Sequence, residues 1–176
     1  PKAAALTDAV WARRVFQPRS DAPAGSFPAD SGGQKRWISF QPPFHTMDRK
    51  SVWEVIFVGG QVGIHQESHG KRMLWSDFQE LQPDRIVASP AFWKQLQADW
   101  VIAGGTQEAS AEILMRLGGK VHTGNVSGAK PSDSLIEFMS KHLGFKKRPG
   151  NNYSSTELHM VLSNGVVDSR NGVQVK

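Results

Sequence analysis

From Arg36 onward, short apolar runs of strand type alternate with helical stretches, and Gly or Pro stands at most of the junctions. No other feature constrains the fold as strongly, because a strand, helix and strand in series return the chain parallel to its start. Arg36–Phe40 reads as a strand stopped by Pro42-Pro43, Ser51–Val58 as a helix ended by Gly59-Gly60, and Gln61–His65 as a short strand. Leu74–Leu81 sets Leu74, Trp75, Phe78 and Leu81 on one helical side. Arg85–Ala88 is predicted to be a buried strand, and Pro90 opens a helix carrying Phe92, Trp93 and Leu96. Thr106 caps a helix that runs to Leu117, with Gly118-Gly119 as its stop, and Lys120–Val126 is the next strand. Pro131-Ser132-Asp133 starts a helix with Ile136, Phe138, Met139 and Leu143 inward and Gly144 as its end. Phe145–Arg148 is read as the strand that leads toward Tyr153. Leu158–Leu162 and Val173–Lys176 are read as two further strands, joined through Asn164-Gly165. The expectation is an α/β fold, layered, with a mainly parallel sheet and flanking helices.

Ahead of that series, Thr7–Phe16 has Val10, Trp11, Val15 and Phe16 at helical spacing, and residues 17–34 form a Pro/Gly-rich stretch expected to be a flexible loop. The 176 residues suit a single domain, 1–176, or a fragment of a larger one. A start at Pro1-Lys2 instead of Met reads as a processed chain or a piece of one. With no cysteine, disulfide frameworks and thiolate metal sites are excluded, which fits a cytoplasmic protein. No apolar run nears the ~18 residues of a membrane span. The net charge of +5 admits polyanionic partners such as ATP, coenzyme A or nucleic acid. The cations, however, are dispersed in short clusters, Arg13-Arg14, Lys71-Arg72 and Lys146-Lys147-Arg148. Of the six tryptophans (Trp11, Trp37, Trp53, Trp75, Trp93, Trp100), most fall on apolar faces. Solvated surface and core packing are therefore preferred to a nucleic-acid footprint. His65 and His69 have i, i+4 spacing, but Gly63 and Gly70 flank them, so an exposed loop is preferred to a metal site.

Two polar segments carry the functional signal. Tyr153-Ser154-Ser155-Thr156-Glu157 contains the chain's single tyrosine, and Ser127-Gly128-Ala129-Lys130-Pro131 lies about two dozen residues before it. Each follows a predicted strand, and a helix separates them. An open α/β sheet holds ligands in such loops at its carboxyl edge. A ring for stacking, hydroxyls for phosphate and a carboxylate for a divalent cation are groups a Mg·ATP site needs. Taken alone, the tyrosine string also reads as a Ser/Thr-rich turn capping a following element.

The order of these segments resembles the large N-terminal domain of the adenylate-forming superfamily, which includes acyl-CoA synthetases, luciferases and the adenylation domains of peptide synthetases and carboxylic acid reductases. Tyr153, Ser155, Thr156 and Glu157 match a Tyr-Gly-x-Thr-Glu motif in which Ser154 replaces the glycine. Ser127–Pro131 looks like the family's Gly-Gly-Ala-Pro adenine turn, with Lys130 as an additional residue. Gln41-Pro42-Pro43-Phe44-His45 looks like the strand end that faces the acyl substrate, Pro1-Lys2 like the end of the phosphate loop, and Pro90–Trp93 like the family's Val-Pro-x-x-Trp helix start.

The resemblance implies ATP-dependent activation of a small-molecule carboxylic acid to an acyl-adenylate, as in the acyl-CoA ligases of fatty acid metabolism. ATP or AMP and Mg²⁺ would be bound, with coenzyme A or a phosphopantetheine as acceptor. In these roles Tyr153 stacks on adenine, Ser127, Gly128, Ala129 and Lys130 line it, and Ser154 and Ser155 complete the nucleotide turn. Thr156 contacts the α-phosphate, Glu157 holds Mg²⁺, Lys2 belongs to the phosphate loop, and His45 stands at the mouth of the acyl pocket. A histidine that closes a strand end by bonding backbone is the other reading of His45. The rest of the phosphate loop, the ribose-binding aspartate and the mobile domain with its lysine are expected outside this chain, which by itself would be incomplete and inactive. A non-catalytic fragment binding nucleotide or protein is the alternative, ahead of a basic nucleic-acid-binding domain.

Overall fold

The computed structural model describes residues 35–41, 46–65, 70–145, 151–155, 159–163 and 166–167. In chain order the elements are β1 (Arg36–Ser39), α1 (Thr46–Phe57), β2 (Gln61–Ile64), α2 (Gly70–Leu81), β3 (Arg85–Ala88), α3 (Pro90–Ile102), α4 (Gln107–Arg116), β4 (Thr123–Ser127), α5 (Asp133–Glu137), β5 (Asn151–Ser155), β6 (His159–Ser163) and β7 (Val166–Val167). The helix expected over 7–16, the loop 17–34 and the strand 173–176 lie outside the described residues. Among the described residues no helix is long and apolar enough to cross a membrane.

The fold is mixed α/β with parallel strands and flanking helices. β1 pairs with β2, β3 with β4 and β4 with β5, all in parallel. β5, β6 and β7 then pair antiparallel, giving a five-stranded order β3-β4-β5-β6-β7 beside the β1-β2 pair. Among the described residues, bonds tie the β1 segment to the β3 segment. Arg36 N–H donates to Asp84 Oδ2 (3.0 Å), Asp84 N–H to the Arg36 carbonyl (3.4 Å), and Gln41 Nε2 to the Val87 carbonyl (2.7 Å). They match residue 36 with 84 and 41 with 87, so β1 runs in the direction of β3. β1, β3, β4 and β5 accordingly end at one carboxyl edge.

Two helices begin earlier than apolar periodicity predicts. α1 starts at Thr46 instead of Ser51, and α2 at Gly70 instead of Leu74. Their first turns are polar, so a search for apolar spacing passes over them. In α1 the polar turn has a purpose: Asp48 is buried and accepts bonds from Trp37 Nε1 (3.1 Å) and Ser39 Oγ. A carboxylate in the first turn is also favoured by the helix dipole. The helix expected to run to Leu143 instead widens after Glu137 into a π-helical turn, Phe138–His142, in which Leu143 N–H reaches back to the Phe138 carbonyl (3.1 Å). The wider turn buries Phe138 and Met139 together. Within it Lys141 Nζ donates to Glu137 (2.6 Å), and this bond holds the Glu137 carboxyl below its ordinary range.

The main core joins α2, α3 and α4 to the sheet through Phe78, Ile86, Trp93, Leu96, Ile113 and Leu117, with Phe40 and Phe92 packed against it. α1 packs through Val55 in a second cluster with Trp37 and Val87. Trp37 and Trp93 are buried, and Trp75 and Trp100 pack on the core's margin, as core-forming tryptophans should. Trp53 departs from that reading. It is 43% exposed, because α1 turns Asp48, Ser51 and Val55 inward and leaves Trp53 on the outer side. Trp11 lies outside the described residues.

At Gly124, the second residue of β4, backbone and core approach closely. An ideal Cβ there would stand 2.4 Å from Phe145 Cε2, 2.7 Å from Cδ2 and 3.0 Å from Met139 Cε. Gly124→Ala is expected to cost about 1–3 kcal/mol through overpacking, measured by urea unfolding. Combined with Phe145→Leu, the two losses should be less than additive, since the smaller side chain frees the space the methyl needs.

Candidate functional site

β4 is buried along its whole length and delivers the first polar segment to the sheet edge. It is positioned from α3. Ser89 caps that helix by accepting from Phe92 N–H (3.4 Å), and Pro90 occupies its first turn. One turn in, Trp93 is fully buried and its Nε1 donates to the backbone carbonyl of Asn125 (3.0 Å), two residues before Ser127. The sequence marked Trp93 as a core residue and as the end of the Pro90–Trp93 helix start, but not as a donor to β4. A tryptophan in the first turn after a strand end, with its N–H free to reach a neighbouring strand, is the signal that could have identified it.

After Asn125 the chain reaches Ser127, the last residue of β4, which is buried and not part of the open turn that was expected. Parallel pairing accounts for this: Ser127 is in register with Asn152, so the ladder extends one residue further than the apolar pattern. Gly128, Ala129 and Lys130 are exposed, and Pro131 is buried again. Gly128 has φ +92°, a conformation that favours glycine, and a Cβ there would meet nothing within 4 Å. The glycine thus serves backbone conformation and leaves the Gly128-Ala129 backbone open on one side. Ser132 closes the turn by capping α5, accepting from Leu135 N–H (3.3 Å).

The second polar segment lies beside the first. β4 pairs Val126 with Asn151 and Ser127 with Asn152, so Tyr153 follows directly where the β4 ladder ends. Tyr153, Ser154 and Ser155 were expected in a loop after a strand over 145–148. They are themselves strand residues of β5, while Phe145 is a buried core residue in the connection. Pairing with β6 overrides the turn chemistry of the serines, and tyrosine suits a strand. The β5–β6 register shifts by one residue between Tyr153 and Ser154, a bulge-like irregularity of the kind strands use to re-aim a residue. Lys2, His45, Thr156 and Glu157 lie outside the described residues. The segment that leads to His45 leaves from Gln41, whose bond to the Val87 carbonyl places its start at the end of β3.

His65 departs from expectation. Instead of an exposed loop residue it is a side chain only 7% exposed, with Nδ1 2.7 Å from Asp77 Oδ2 on α2. The partner is twelve residues away in sequence, so local spacing could not reveal it. His69 lies outside the described residues. Among the described residues no group of three or more His, Cys, Asp or Glu could hold a metal ion.

This arrangement can be set beside known proteins. A sequence model of the family described as AMP-binding enzyme matches residues 1–175, and the chain belongs to that family. The A domain of carboxylic acid reductase from Segniliparus rugosus, in complex with AMP and a co-purified carboxylic acid, superposes with a TM-score of 0.67 at 20% identity, over 86% of this chain and 25% of that one. The adenylation domain of the carboxylate reductase from Mycobacterium chelonae gives 0.60 at 20% identity, over 74% and 22%. The A-PCP didomain of the Segniliparus rugosus enzyme, in complex with AMP, gives 0.57 at 22% identity, over 72% and 19%. At these identities the likeness is one of fold, and the chain spans a quarter or less of the length of each structure. No curated protein matches the sequence.

Trp93→Phe removes the indole N–H that holds Asn125 while keeping an aromatic ring. The expected cost is about 1–3 kcal/mol of unfolding free energy. Amide exchange should quicken at Val126 and Ser127 more than in α4, a pattern that a uniformly loosened core would not give.

Proposed function

We propose that this chain supplies the adenine-binding side of an adenylate-forming enzyme, one that activates a carboxylic acid with ATP. The observation that carries the reading is the register at the carboxyl edge. The Gly128–Lys130 turn, which follows Ser127, and Tyr153 are brought next to each other by parallel pairing of β4 with β5, in a chain of the AMP-binding enzyme family. An exposed, unobstructed backbone at Gly128-Ala129 suits the close approach of a planar base. Tyr153 is the residue proposed to stack on it, with Ser154 and Ser155 beside it and Thr156 at the α-phosphate. Lys130 and Lys2 add positive charge toward the phosphates. Glu157, a hard oxygen donor, is of the type that would hold Mg²⁺ there, and the ion would supply charge neutralisation on the phosphates.

In the reaction proposed, an oxygen of the substrate carboxylate attacks the α-phosphorus of ATP. A new O–P bond forms, the α–β bridging bond breaks, and pyrophosphate leaves with that electron pair. The protein's part is to align the reactants and to stabilise phosphate charge. His45, reached through the Gln41 segment, is proposed at the acyl side. Coenzyme A or a carrier phosphopantetheine is the acceptor class the acyl-adenylate chemistry suits. The chain spans a quarter or less of the similar structures, and by itself it is proposed to bind nucleotide weakly and not to turn over.

Titration of ATP and AMP against the wild-type chain, Tyr153→Ala and Glu157→Ala tests the assignment. Loss of the ring should weaken both nucleotides by about 1–3 kcal/mol, by analogy with aromatic–base stacking. Glu157→Ala should leave AMP binding unchanged. If Glu157→Ala abolished binding while Tyr153→Ala left it intact, the roles would be wrong, and no binding of either nucleotide would leave a non-catalytic module.

A further inference from the structure

Away from the carboxyl edge, β2 has one ladder partner among the described residues, β1. Gln61 N–H donates to the Lys35 carbonyl (2.7 Å) and His65 N–H to the Ser39 carbonyl (2.8 Å). Backbone groups alternate sides along a strand, so Gln61, Gly63 and His65 address β1 while Val62 and Ile64 address the opposite edge. The strand Gln61-Val62-Gly63-Ile64 carries no charge and no proline, two devices that normally blunt such an edge. Ile64 is 75% exposed.

Alongside this edge runs a cleft of about 590 Å³ between the β1-β2 pair and α2. Arg36, Gln61 and Gly63 form its floor, and Asp77, Glu80 and Leu81 of α2 form its wall. Glycine keeps the floor low, since a Cβ at position 63 would stand 3.1 Å from Leu81 Cδ2. The Arg36 guanidinium is paired with Asp84 (3.5 Å), which directs its charge to β3. Asp77 keeps about a third of its side chain exposed despite its bond to His65, and Glu80 is exposed. The wall is therefore acidic in a chain whose net charge is +5. On the other face Val62 packs with Trp37 and Val55, and Ile64, two residues on, shares that face.

We infer that this cleft docks an extended peptide segment whose side chains alternate between basic and apolar, added as a strand along β2. Main-chain bonds to Val62 and Ile64 hold it. Its basic side chains face Asp77 and Glu80, and its apolar ones lie against Ile64. Strand addition takes affinity from the backbone and specificity from alternate side chains, and an open edge beside a helix provides both. Opposite charge at the wall selects lysine or arginine on the cleft side.

The test uses the whole chain and two acetylated, amidated hexapeptides, one alternating Lys and Val and the other alternating Glu and Val. Hydrogen exchange should show the Val62 and Ile64 amides protected by the Lys-Val peptide and not by the Glu-Val peptide. Glu80→Lys, at an exposed position, should fold normally and weaken the Lys-Val peptide about ten-fold, and added salt should weaken it further. Equal protection by both peptides would overturn the inference, as would protection confined to other strands. Protection of Val62 and Ile64 that grows with protein concentration and without peptide would also overturn it, since a second copy would then be the occupant.

Discussion

β4 is held from two directions at once, and the placement of the candidate site depends on that grip. From one side the buried Trp93 indole donates to the Asn125 carbonyl. From the other, Phe145 presses so close to Gly124 that no side chain fits. Between them the ladders to β3 and β5 fix the register residue by residue. A strand gripped in this way cannot slip by one position, because a slip would exchange its buried faces. The open turn at Gly128-Ala129 inherits that definition. It begins at a residue locked into the ladder and ends at a buried proline followed by a helix cap. A loop anchored so tightly at both ends has little entropy to lose when a ligand arrives, which is the physical content of preorganisation.

Much of this was legible in the sequence, for a physical reason. Where burial alternates with turns, as from Arg85 to Leu117, apolar pattern and cap chemistry agree. The strand Arg85–Ala88, the Pro90 helix start and the Thr106 cap all stand where the residues place them. Boundaries failed where the first helical turn was polar, at Thr46 and Gly70. The placement of Tyr153–Ser155 failed because strand pairing with β6 is a long-range effect that local turn propensity does not register. His65 was misread for the same reason, since its partner Asp77 comes from another element. The proposed site residues were named from the order of two short polar segments, while the bonds that anchor the neighbouring backbone were not foreseen. Trp93 and Gln41 act through bonds to backbone carbonyls, and nothing in residue type announces which carbonyl a side chain will reach.

The seam between β1 and β3 is built differently from the rest of the sheet. A continuous ladder joins β3, β4 and β5, whereas the bonds that tie β1 to β3 draw on the Asp84 carboxylate and the Gln41 amide as well as the backbone. The guanidinium of Arg36 adds a pair to Asp84, and its Nε is buried without a partner. A buried donor left unpaired costs free energy that a wholly apolar contact or a complete ladder would not. The β1-β2 pair is thus the less firmly attached part of the described sheet. Elements joined by fewer backbone bonds open at lower free energy than the core they adjoin.

That division follows the chemistry proposed for the two halves of the edge. The proposed adenine side rests on β4 and β5, in a continuous ladder, where a planar base of fixed size would need a surface of fixed shape. The proposed acyl side follows Gln41, which is tied across the seam to the Val87 carbonyl. Carboxylic acids differ in size far more than adenine does, and a pocket wall carried by a side-chain-tethered strand can shift without disturbing the ladder that holds the nucleotide side. Rotation of Gln41 away from the Val87 carbonyl would break that tie while leaving Gly124, Trp93 and the Ser127 register untouched. On the proposed reading, the firmer ladder thus lies where the ligand is constant and the looser attachment where it varies.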